Sequence, residues 1–202
     1  RKELSKTHSL LNNQDNKLKM LSKKINESEA THNTLETLEK HYDGYNRTVK
    51  SLMEHVEKGR VQGIKDIKVL GEVFEVEKKY EVAIEIALGG AISNVITVND
   101  TDAKNLISYL KNRGLGRATF LPLNIIRGKK LEVPNDIKKA KGYIGIASEI
   151  LKYDIRYKGV IEYNLGRTII AENMDCALNI SKIGRHNYKI VTLTGEVINP
   201  GG

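Results

Sequence analysis

The sequence predicts a mixed α/β (α+β) domain of two related halves, preceded by a long coiled-coil helix. Three observations lead there. Residues 1–58 contain one glycine, Gly44, and no proline, whereas 59–202 hold the other sixteen glycines and all three prolines. The first stretch repeats apolar residues every seven positions. The second alternates short β-rich runs with amphipathic segments, and does so twice. At 202 residues and 40% hydrophobic content, the chain can bury one domain core and carry an appendage.

In the first stretch, Leu4, Leu11, Leu18 and Ile25 form one line; Leu21, Leu35, Tyr42, Val49 and Val56 form the line three residues along. Thr7, Gln14, Ser28 and His32 interrupt this seam. After Leu35 the apolar phase moves to Leu38, a three-residue slip that overwinds a coiled coil locally. At about 1.5 Å per residue such a helix spans roughly 80 Å. It is expected as an arm that pairs with another helix, the alternative being an amphipathic helix lying on the domain. A first residue of Arg in helical rhythm reads as part of a longer protein.

The domain divides into residues 59–128, a basic connector 129–141, and 142–202. Val69–Val76 is β-rich, and Lys79–Leu88 has helical spacing that ends at Gly89-Gly90. Asn94–Val98 reads as a short buried strand. Asn99 caps a helix that runs to Arg113 and stops at Gly114. Ala118–Leu121 is a strand closed by Pro122. The second half reads as a helix near Ala147–Leu151, a strand at Thr168–Ala171, a helix at Met174–Ile183 and a strand at Lys189–Leu193.

Several chemistries are excluded. No GxxxxGK[ST] run exists to cradle phosphate, and Leu88-Gly89-Gly90-Ala91 follows a helix rather than opening one. The single cysteine, Cys176, lies in an apolar helical stretch and reads as a small hydrophobe. One cysteine and five scattered histidines make neither a disulfide framework nor a zinc cluster. No apolar run approaches the roughly 18 residues of a membrane span. No catalytic constellation is present, so no enzymatic activity, metal or cofactor is expected in this chain. An α/β nucleotide-binding enzyme is the remote alternative.

Charge is more informative. Between Lys104 and Lys141 ten basic residues face only Glu132 and Asp136, so this segment carries the chain's whole formal charge of +8. Lys111, Arg113, Arg117, Lys129, Lys130, Lys138, Lys139 and Lys141 are the candidate contacts to a phosphate backbone. Tyr109 and Phe120 are its only aromatics, too few for base stacking to dominate.

The runs GYNRTVKSLM (44–53), GIKDI (63–67), YEVAIEIALG (80–89), NVITV (94–98) and GRATFLPL (116–123), with Leu165-Gly166, TIIA (168–171) and IVTLTGEVINPGG (190–202), together resemble the hinge of bacterial SMC (structural maintenance of chromosomes) proteins. The resemblance spans roughly residues 42–202, and GRATFLPL is its most specific run. It implies a cytoplasmic, chromosome-associated homodimer whose chains fold back at the hinge, so that each arm helix pairs with a returning helix of its own chain. It also implies ATP- and Mg-dependent heads assembled far from this segment, and a role in condensing and segregating DNA. The expected dimer joins an edge at Ala118, Thr119, Phe120 and Leu121 to a partner edge at Gly195, Val197, Ile198, Gly201 and Gly202. DNA contact is expected to be salt-sensitive and indifferent to sequence; a dimerisation module without DNA contact is the alternative.

Overall fold

The computed structural model describes residues 14, 16–29, 46–64 and 66–201. The chain forms two units, Arg1–Gly44 and Tyr45–Gly202. In the first, residues 16–29 are helical, and Leu18, Leu21 and Ile25 of the expected seam are exposed along it. Leu4, Leu11, Leu35, Leu38 and Tyr42, and the phase slip, lie outside the described residues.

The second unit opens with a separate helix, α1 (Arg47–Glu57), which corrects the expectation of one helix to residue 58. Asn46 starts it, its side-chain oxygen accepting from the Thr48 amide at 2.9 Å. Val49, Leu52 and Met53 are buried in this unit, and Val56 is half-buried. Val49 and Val56 therefore face the domain instead of extending a coiled-coil seam. A heptad and an amphipathic helix on a domain share the same three–four spacing, and the burial decides between them.

Beyond α1 the same succession of elements occurs twice. The first half has strands β1 (Ile67–Val69), β2 (Phe74–Val76), β3 (Val95–Thr97) and β4 (Phe120–Pro122), with helices α2 (Glu81–Leu88) and α3 (Asp100–Arg113). A short connecting helix, α4 (Asn135–Lys138), leads to the second half. There, strands β5 (Tyr143–Ile146), β6 (Leu151–Tyr153), β7 (Thr168–Ala171) and β8 (Lys189–Thr192) accompany helices α5 (Lys158–Leu165) and α6 (Met174–Ile183), and one further strand, β9 (Val197–Ile198), ends it. Leu70–Gly89 aligns on Ala147–Gly166 without a gap, with identities at Glu72/Glu149, Tyr80/Tyr157, Ile84/Ile161, Glu85/Glu162, Leu88/Leu165 and Gly89/Gly166. Asn99 and Asn173 cap α3 and α6 alike, each side chain accepting from the amide three residues on.

Each half folds a strand–helix–strand unit into a small sheet. β1 is antiparallel to β3, and β3 is parallel to β4 across α3. Likewise β5 is antiparallel to β7, and β7 is parallel to β8 across α6. The halves join where β2 pairs antiparallel with β6, placing Glu75 opposite Lys152. Those two positions are equivalent in the alignment, so the local two-fold axis relating the halves passes between them. Behind the ribbon, Ile84 and Leu88 share one core with Ile161 and Leu165.

Two further expectations are corrected. Val69–Val76 is not one strand: a 3-10 turn at Leu70–Glu72 sends β1 and β2 into different sheets, with the Glu72 carboxylate accepting from the Val69 amide at 3.2 Å. Ala147–Leu151 is not a helix: a 3-10 turn ends at Glu149, and Leu151 enters β6 because β2 offers a pairing edge. The 129–141 connector is anchored to the second half, with Val133 and Ile137 buried in a second core with Ile146, Ile169, Ile180 and Ile190.

Candidate dimer and nucleic-acid interface

The first candidate edge begins where α3 stops. Gly114 adopts the left-handed conformation (φ 63°), and the Leu115 amide donates back to the Leu110 carbonyl at 3.1 Å. The chain then turns through Gly116 (φ 106°) and enters β4, whose inner side is parallel to β3. Gly116, Arg117 and Ala118 make no backbone–backbone hydrogen bond among the described residues. They line a largely apolar hollow of about 650 Å³ with Ile107, Leu110, Lys111, Gly114 and Phe120. Ile107 is 53% exposed there. An unpaired backbone beside an apolar hollow is what an added strand needs: amides and carbonyls to pair, and a floor for its side chains.

Of the expected residues on this edge, Ala118 and Phe120 are half-buried and line the hollow, and Thr119 is exposed. Leu121 is corrected: at 2% exposure it belongs to the domain core, as strand alternation turns it inward. Ile107 and Leu110 escaped the sequence reading because their positions on α3 adjoin the edge only in three dimensions.

The second candidate edge is β9. It pairs antiparallel with β8 on one side, at Ile190↔Ile198 and Val191↔Val197. It stands at the end of its four-stranded sheet, as β4 stands at the end of its three-stranded one. The β8–β9 turn is held by the Glu196 carboxylate, which accepts from the hydroxyls of Thr192 and Thr194. Those bonds hold the Glu196 carboxyl below the usual glutamate range. Gly195 (φ 94°) sits against the Val82 and Ile86 side chains of α2. Val197 is exposed and Ile198 half-buried against the second core. Past the strand, the Gly201 amide donates to the His186 carbonyl at 2.8 Å, within a turn where Arg185 and His186 both take positive φ. Gly202 lies outside the described residues.

The basic candidates fall into two groups on different sheets. Lys111, Arg113 and Arg117 are exposed beside the first edge, and Lys111 and Arg117 line its hollow. Arg113 lies over the Tyr109 ring at 5.6 Å. Lys129, Lys138, Lys139 and Lys141 are exposed around α4, which is anchored in the second core. Lys130 is engaged by Glu149 at 2.8 Å, and that hydrogen bond and charge raise its pKa. Arg127, the remaining cation between the groups, donates to the carbonyls of Leu123, Asn124 and Ile126 and so braces a turn.

Among the described residues no cluster of His, Cys, Asp or Glu is arranged to hold a metal, and no helix is long and apolar enough to cross a membrane. A mixed-charge hollow of about 380 Å³ beside the two-fold ribbon, lined by Lys68, Glu72, Glu75, Lys152, Asp154 and Arg156, balances its cations with carboxylates. Cys176 is buried.

Residues 64–181 match the family model described as the SMC proteins Flexible Hinge Domain. The chain is 45% identical over 194 residues to the chromosome partition protein Smc of Clostridium kluyveri, covering 96% of this chain and 16% of that protein. It is 37% identical to the Smc protein of Bacillus subtilis, covering 88% and 15%. The crystal structure of an asymmetric dimer of the Geobacillus stearothermophilus SMC hinge domain superposes with a TM-score of 0.77 at 32% identity, covering 87% of this chain and 71% of that one. The Pyrococcus furiosus SMC hinge domain gives a TM-score of 0.61 at 29% identity, covering 81% and 80%. This chain thus spans about one sixth of its full-length relatives. With its paired halves and matching core, the chain belongs to the SMC hinge-domain family.

Proposed function

We propose that this chain is the homodimerisation hinge of a chromosome-partition SMC protein, each protomer adding its β9 edge to the Gly116–Phe120 edge of the other. The observation that carries this reading is the unpaired backbone of Gly116, Arg117 and Ala118 fronting an apolar hollow. The fold contains its own precedent: β8, the counterpart of β4, has an antiparallel strand on the side that β4 leaves open. Two such contacts related by a two-fold axis close a ring. A hinge of similar structure is described as a dimer.

In this reading the segment contributes no chemistry of its own; ATP and Mg act at heads elsewhere in a full-length cytoplasmic, chromosome-associated protein. The arm helix pairs with the returning helix of that longer chain. Lys111, Arg113 and Arg117, with Lys129, Lys138, Lys139 and Lys141, add weak attraction to DNA phosphates. Their exposure and uniform sign support contact with the backbone rather than with bases.

Light scattering over a concentration series tests the dimer: a mass near twice 22.7 kDa that survives high salt is expected, and a monomer at every concentration refutes it. Titration with duplex DNA tests the second part. Reversing Lys111 and Arg113 to Glu is expected to weaken binding at low salt and to flatten the log–log salt slope by about 1.8. An unchanged affinity would remove these residues from the DNA surface and leave a dimerisation module.

A further inference from the structure

We infer that Thr48, on α1, is a positioning residue for the pairing edge, holding the Leu115–Ala118 bend in the course that lets a partner strand add to it. The inference rests on the dimer proposed above and assigns part of its control to α1.

Two contacts carry it. The Thr48 hydroxyl donates to the Leu115 carbonyl at 3.0 Å, across 67 positions of sequence. The same side chain fills the space beside Gly116, where a Cβ would collide with the Thr48 hydroxyl oxygen and lie 3.5 Å from the Thr48 Cβ. Gly116 also has φ 106°, a conformation that side chains other than glycine rarely take. Leu115 is thus fixed from both ends, its amide by the Leu110 carbonyl and its carbonyl by Thr48. The next three residues have no backbone partner among the described residues, so their path depends on this fixed point.

A second bond seats α1 against the same helix. The Tyr109 hydroxyl meets the His55 ring nitrogen Nδ1 at 3.0 Å, one turn before the end of α3. Asn46, at the head of α1, donates its amide to the Ser93 hydroxyl at 3.2 Å. A shift of α1 therefore moves the Thr48 hydroxyl relative to a bend whose other backbone hold is the Leu115–Leu110 bond. Position of α1 and readiness of the edge become one variable.

Thr48→Val keeps the shape beside Gly116 and deletes the donor; Thr48→Ser keeps the donor. The dimer dissociation constant, by sedimentation velocity, is expected to rise about 3- to 10-fold in Thr48→Val and to stay within about 2-fold of wild type in Thr48→Ser. Amide exchange at Leu115, whose amide donates to the Leu110 carbonyl, measured below the dissociation constant, is expected to accelerate in Thr48→Val only. A wild-type dimer whose dissociation constant and Leu115 exchange are unmoved by Thr48→Val overturns this inference alone, even if thermal stability falls. A wild-type chain that is monomeric throughout overturns the dimer reading, and this inference with it.

Discussion

The two halves of the hinge share an order of elements, a helix cap and a run of twenty aligned residues, yet their outer edges differ. In the second half, β8 is covered by β9. In the first half, β4 ends its sheet, and the residues leading into it have no backbone partner among those described. The course of the chain beyond each edge differs as well. After β8 it makes a tight turn braced by Glu196 and returns along the strand; after β4 it turns at Pro122–Ile126 and crosses to the other half. There, the Ile126 carbonyl would lie 2.8 Å from a Cβ at Gly159, on α5. A repeat with two bare edges would pair indifferently, half to like half. In the proposed dimer, covering one and baring the other gives each protomer one strand to offer and one place to receive it, and a two-fold arrangement satisfies both.

The likeness and the difference of the halves can be strained at three points. The largest effect is expected where the halves are most alike. Ile84 and Ile161 occupy equivalent positions at 2% and 0% exposure in the shared core. Truncating either to Ala should cost about 2–5 kcal/mol in denaturant unfolding, with the two losses similar and each transition a single step. A biphasic transition, or a cost confined to one half, would mean that the halves are separately stable. Next comes the bare edge. Ile107→Glu places a carboxylate in the hollow and should weaken the dimer by about 30-fold or more, while leaving the isolated chain folded, since Ile107 is 53% exposed. A like charge on the second half, at exposed Leu178 of α6, should leave the dimer unchanged.

The smallest effect concerns acid. The Glu196 carboxyl is held below its ordinary value of 4.5 by the Thr192 and Thr194 hydroxyls. The unfolded turn therefore binds its proton first, at higher pH. The stabilisation is complete above about 4.5 and fades as pH falls through the lower folded value. Amide exchange at Gly195 and Glu196, corrected for intrinsic rate, should lose protection in that acid range. Glu196→Gln should abolish the pH dependence of protection at this turn.

Much of this was legible in the sequence. Asn99 and Gly114 bounded α3 because caps act locally, and the apolar strands Val95–Thr97 and Thr168–Ala171 stood out between turn residues. Two of the errors have one physical source: a partner distant in sequence decided the outcome. Ala147, Ile150 and Leu151 have helical spacing, but β2, far earlier in the chain, takes Leu151–Tyr153 as a strand. Val49 fits a heptad, but α1 turns it into the domain. The basic cluster was visible as composition, though not that Lys130 is held by Glu149 and Arg127 by three carbonyls. The candidate edge was an expectation of the sequence reading, whereas the hollow that Ile107 and Leu110 line beside it and the Thr48–Leu115 bond emerge only from the fold.

In the proposed dimer unlike edges meet, first half to second half, across two protomers. Mixing two variants in a Cys176→Ser background, one carrying Arg117→Cys and the other Val197→Cys, and treating the mixture with a short bis-maleimide tests this directly. A covalent dimer joined 117 to 197, formed only in the mixture, is the predicted result. Cross-linking of either variant to itself with none between the two, or no cross-linked dimer in a sample that scatters as one, would contradict it.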